Sequence, residues 1–113
     1  MKNISLQGYQ SNYITMRCEK GAAAGDLVAM SQNNTVKKAT EGKFMGIVHS
    51  VRGEYALIQT GGFAVVHYSG EAPKVGYESF LADSNADAVK GSGGREVLVT
   101  EVDSAAKNIG ILF

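Results

Sequence analysis

The chain has no tryptophan, one proline, one cysteine and no net charge, with Lys plus Arg equal to Asp plus Glu at 11 each. Each shortage removes a class of protein. One thiol, Cys18, cannot form an internal disulfide, so the disulfide-stapled secreted domains are out. Balanced charge leaves no basic excess to hold a phosphate backbone, and a nucleic-acid partner is not expected. No apolar run reaches the length of a membrane helix, and MKNISLQGYQSNY lacks the apolar core of a signal peptide. A product that stays in the cytosol or joins an assembly there, with no membrane partner, is the expectation.

What is abundant is glycine, 14 residues in 113, set among short apolar runs. That pattern suits many strands joined by tight turns, and the length suits one domain with its own core. The richest stretch is Phe44 to Tyr68, where runs of Val, Ile, Tyr and Phe are broken at Arg52-Gly53 and Gly61-Gly62. Two-residue breaks containing glycine between such runs signal β-hairpins. The stretch therefore reads as a three-stranded meander, with Ile47 facing Ile58, His49 facing Ala56, and Ile58 facing Val65. Both faces of that meander are apolar in the middle. A sheet wetted on one side alternates more cleanly, so either more of this chain or another subunit must cover the second face.

The flanks add further strands. Tyr13–Glu19 alternates with Cys18 turned inward, where a free cysteine acts as a small hydrophobe. Asp26–Met30 and Thr35–Ala39 flank an Asn33-Asn34 turn; Gly76–Asp83, Ala88–Lys90, Glu96–Val102 and Ile109–Phe113 follow. The sum is an all-β fold, a compact antiparallel barrel or sandwich of about 8–10 short strands around the central meander. Residues 1–12 read as an N-terminal arm and 13–113 as a single β-barrel domain. A faint internal echo joins Gly25-Asp26…Asn34…Val36-Lys37 to Gly76-Tyr77…Asn85…Val89-Lys90, with Met45-Gly46-Ile47 matched to Ile109-Gly110-Ile111. Glycine inside a strand marks a bend or close backbone approach, so Gly46 and Gly110 are expected to resist substitution.

Reactive constellations are missing from the sequence. It holds no Walker loop, no Gly-x-Ser-x-Gly elbow and no His-Glu-x-x-His, and Gly91-Ser-Gly-Gly94 lacks the lysine and helix of a phosphate cradle. In the meander register His49 and His67 flank Ala56, about 9.5 Å apart, close enough to lean toward one metal ion. A third protein ligand is not indicated, so hydrogen-bonded or surface histidines are the expected state, with no cofactor and no enzymatic activity.

The run Gly25-Asp26-Leu27-Val28, the return Asn34-Thr-Val-Lys-Lys-Ala39 and Phe44-Met45-Gly46-Ile47-Val48 resemble the small capsid decoration, or cement, proteins of tailed bacteriophages. Gly62-Phe63-Ala64-Val65-Val66, Val75-Gly76…Ala82-Asp83 and Ile109-Gly110-Ile111-Leu112 fit the same layout, so the resemblance spans about residues 15–113. It implies a β-barrel on the exterior of the virion capsid, made in the bacterial cytoplasm. There it would bind the major capsid protein and stabilise contacts between its subunits, as a monomer or as a trimer. Within the arm, Ile4, Leu6 and Tyr9 are the candidate capsid contacts. A tail or baseplate barrel and a small-ligand barrel are the alternatives.

Overall fold

The computed structural model describes residues 11–113. They form ten strands and no helix: β1 (Asn12–Cys18), β2 (Leu27–Gln32), β3 (Thr35–Lys38), β4 (Gly46–Arg52), β5 (Tyr55–Gly61), β6 (Phe63–Ser69), β7 (Gly76–Ala82), β8 (Ala88–Lys90), β9 (Arg95–Asp103) and β10 (Asn108–Leu112). The all-β expectation holds, and the flanking strands fall where their alternation places them. The pairing is what differs. The strands close into two five-stranded barrels, β1-β3-β2-β4-β5 and β10-β6-β8-β7-β9, in place of one.

The second barrel repeats the first strand for strand. In each, the first and third strands run parallel (β1 with β3, β6 with β8) and every other pair is antiparallel. Each fourth–fifth hairpin carries a bulge, between Val48 and Ser50 in one and opposite Gly110/Ile111 in the other. Turns with positive φ recur as well: Asn34 and Ala86 between second and third strands, Gly53 and Lys107 between fourth and fifth. The sequence echo is therefore half right. It matches β2-β3 to β7-β8, but Gly46 lies on a fourth strand and Gly110 on a fifth, so those two glycines are not counterparts.

The three-stranded meander does not form. β4 and β5 pair, whereas β5 spends its other edge on β1 and β6 pairs with β8 and β10. Gly61-Gly62 is the crossing from one barrel to the other. Only Gly62 has positive φ, and its N–H and C=O bond to the C=O and N–H of Phe113. A tight hairpin of the twisted, primed type needs both central residues, or the first, in that region. The β4–β5 turn sits one residue later than the sequence suggests: Arg52 pairs with Tyr55, Val51 with Ala56, and His49 is the bulged residue.

Two cores result. Cys18, Val28, Val36, Val48, Ala56 and Ile58 fill the first barrel. Their counterparts by register, Tyr68, Phe80, Ala88, Val99, Ile109 and Ile111, fill the second. Each large aliphatic chain buried this fully contributes about 1.5–3 kcal/mol relative to exposure. The second core does not end at its own barrel. Leu27, Ala39, Phe44 and Ile47, from the outside of the first barrel, belong to it. The covering of the meander's second face is thus answered: Val48 points into the first barrel, and its neighbour Ile47 packs against the second.

Polar groups fasten the same seam. Leu27 N–H donates to Ala86 C=O (3.1 Å) and Ala82 N–H to Gly42 C=O (2.9 Å). Gln59, buried, donates from Nε2 to Gly61 C=O (3.0 Å) and Phe63 C=O (2.8 Å). Arg95 at the head of β9 reaches across the seam, donating to Met45 C=O and, at 3.0 Å, to Thr60 C=O. Its guanidinium lies over the rings of Phe44 (5.9 Å) and Phe113 (4.8 Å). An arginine can do this because its flat cation stacks and donates in plane at once.

Candidate interaction surfaces

The shared-face register that set His49 and His67 on either side of Ala56 does not form, and the two stand on different barrels. His49 stands on β4 of the first barrel, edge-on to the ring of Tyr13 at 5.4 Å. His67 stands on β6 of the second, with Nδ1 3.1 Å from the Asn108 Oδ1. They no longer share Ala56 as a neighbour, because His67 pairs with Asn108. Among the described residues no three His, Cys, Asp or Glu side chains come together as metal ligands.

The one thiol is equally quiet. Cys18 is buried at the end of β1, with Sγ against the Glu19 carbonyl (3.3 Å). Burial, helped by the Glu19 charge, pushes its pKa up, the reverse of what a nucleophile needs. A surface cleft of about 370 Å³ adjoins it, lined in part by Arg17, Glu19, Lys20 and Glu54, and broadly open to solvent. Ligand sites are enclosed and largely apolar, and this cleft is neither.

The most constrained carboxylate is structural. Asp83, in the β7–β8 turn, accepts from the Ser69 hydroxyl and from the N–H groups of Asn85 (2.8 Å) and Asp87 (3.0 Å). Burial pushes its pKa up, but those three donors outweigh it and hold the carboxyl below its ordinary value. Asp87 beside it goes the other way, raised by burial and by the Asp83 charge. The pair shapes a turn whose Ala86 carbonyl is part of the seam.

What the surface does offer is apolar side chains in water. Tyr13, Ile14, Val51 and Tyr55 are exposed on β1, β4 and β5, and Met30 on β2. Val65, Val75 and Tyr77 are exposed on the second barrel, Tyr77 at 72 % and Val75 at 67 %. They stand on both halves of a body 36 × 27 × 22 Å in extent. Arg17 supplies the polar rim on the first barrel, paired with Glu54 (3.3 Å) and stacked over Tyr55 (5.4 Å). Contiguous exposed apolar surface rimmed by polar groups is the kind that partners cover. Of the residues singled out in the sequence, Ile4, Leu6 and Tyr9 lie outside the described residues. The exposed set on β1, β5 and β7 has no signal of its own in the sequence, because alternation shows which residues share a face but not which face stays wet.

Comparison with protein-family models finds none that matches this chain, and comparison with curated proteins finds no match.

Proposed function

We propose that this chain is a structural protein of a tailed-phage virion, a capsid decoration protein that binds the outside of the assembled head and ties neighbouring major-capsid subunits together. The observation that carries the reading is the presence of exposed apolar side chains on both halves of one small double-barrel body, Tyr13, Ile14 and Tyr55 on one and Val65 and Val75 on the other. A block that is sticky at separated places can touch two neighbours at once. The resemblance of the Gly25–Val28, Asn34–Ala39 and Phe44–Val48 segments to cement proteins supports the same assignment.

Such a protein works by mass action. Binding only the assembled shell stabilises it by RT ln(1 + [L]/Kd) per site, about 2.7 kcal/mol when the free protein is at 100 times Kd. No reacting group is required, and the polar features described above serve turns and seams. The test is location. Gold-labelled antibody against the chain is applied to phage particles released from cells that carry its gene. Label over the head surface is expected. Label confined to the tail replaces the assignment with a tail component, and unlabelled particles from producing cells overturn both.

A further inference from the structure

The seam between the barrels uses one particular surface of the first barrel. Register lines up Leu27 with Ile47, Ile47 with Gln59, and Gln59 with Tyr13, a row across β2, β4, β5 and β1 on the outside of that barrel. Leu27, Ile47 and Gln59 are buried under the second barrel. The repeated topology gives the second barrel a corresponding row, Tyr77 with Leu98, Leu98 with Leu112, and Leu112 with Phe63, across β7, β9, β10 and β6, with β7 set two residues along relative to its pairing with β8. This row is wholly apolar or aromatic, and among the described residues neither barrel packs over Tyr77, which is 72 % exposed; the other three are half-buried.

The receiving side of the seam repeats too. In the second barrel, Val66 and Ala82 are buried at the end that the first barrel closes. Their counterparts by pairing are Met16 (opposite Ala56, as Val66 is opposite Ile109) and Met30 (opposite Val36, as Ala82 is opposite Ala88). Met16 is half-buried and Met30 is 48 % exposed. The chain therefore carries one used and one unused version of each half of a similar joint. Methionine suits the unused socket, since its flexible thioether adapts to an incoming surface.

From this repetition we infer that copies of the chain join head to tail, the Tyr77–Leu98–Leu112–Phe63 row of one copy seating on the Met16/Met30 end of the first barrel of the next. The intermolecular contact continues the intramolecular seam. It is heterologous, so it propagates until the rotation per step closes a ring. Nothing in it depends on a capsid, and the test uses the purified full chain alone.

Light scattering coupled to size exclusion is run on the parent, on Met30→Asp and on Tyr77→Asp. Both substituted residues are well exposed, so the melting temperatures should match the parent. The parent should exceed the monomer mass and each variant should fall to it. An equimolar mixture of the two variants should recover a 1:1 dimer and nothing larger, because one keeps an intact row and the other an intact socket. Tyr55→Asp, on an exposed residue outside both surfaces, should assemble like the parent. A parent that stays monomeric at about 1 mM overturns the inference. So does a variant that assembles normally, a mixture that stays monomeric, or dissociation by Tyr55→Asp.

Discussion

Replacing Gly46 by alanine adds one methyl group where the fold has no room for it. A Cβ on Gly46 would sit 2.5 Å from the Gln59 carbonyl oxygen and 2.8 Å from Ile58 Cγ2. The first is backbone of the paired strand and the second belongs to a side chain with no solvent exposure, so neither can step aside alone. β4 would have to lift from β5 at the point where β5 carries both the first core, through Ile58, and the seam, through Gln59. Overpacking of this kind costs about 3 kcal/mol. For a domain of this size that corresponds to a fall in melting temperature of about 12 °C. Gly53→Ala is the control. Its φ is +61° with open space around the added methyl, so it bears only the left-handed backbone cost, about 1 kcal/mol or about 4 °C. Thermal unfolding followed by circular dichroism reads both. If Gly46→Ala melts within about 2 °C of the parent, or no lower than Gly53→Ala, the close approach of β4 and β5 is wrong.

Arg95→Met should cost about 2–4 kcal/mol in urea unfolding, since it strips the donors from two carbonyls at the seam. Arg95→Lys should recover little of it, because an ammonium cannot serve Met45 and Thr60 while stacked between Phe44 and Phe113; full rescue by lysine would show that charge alone matters there. Asp83 has a lowered folded pKa, so its contribution is present above the unfolded carboxyl value, about 3.9, and drains away as pH falls through the lower folded value. Asp83→Asn should therefore destabilise the protein at pH 7 and flatten its acid-unfolding slope, while Asp87→Asn, removing a carboxylate whose folded pKa is raised, should stabilise it at pH 7; equal effects of the two in unfolding titrations would refute the arrangement of the turn. The Cys18 thiol should react with a disulfide reagent at least about tenfold more slowly in the native protein than in urea, and equal rates would mean that the end of β1 is open.

The sequence alone carried the strand content. Alternation in Tyr13–Glu19 and Glu96–Val102, and turn chemistry at Asn33-Asn34 and Gly53, are set by neighbours a few residues apart, and a period of two survives whatever the strand later pairs with. The sequence also showed that Ile47 and Val48 both needed cover, since the apolar character of a side chain is independent of what hides it. Which edge pairs with which was another matter. Gly61-Gly62 has the composition of a hairpin turn, yet β5 closes onto β1, about forty residues earlier, and the glycines pass the chain to a second barrel. Barrel closure is a property of five strands together, and no local window contains it. The same holds for the seam: Arg95, Phe44 and Phe113 meet only because two copies of one topology pack face to end. That packing also leaves Tyr77 and Met30 exposed while it buries Leu27 and Ala82. Local chemistry fixed the strands, and long-range closure decided which of their faces meet water.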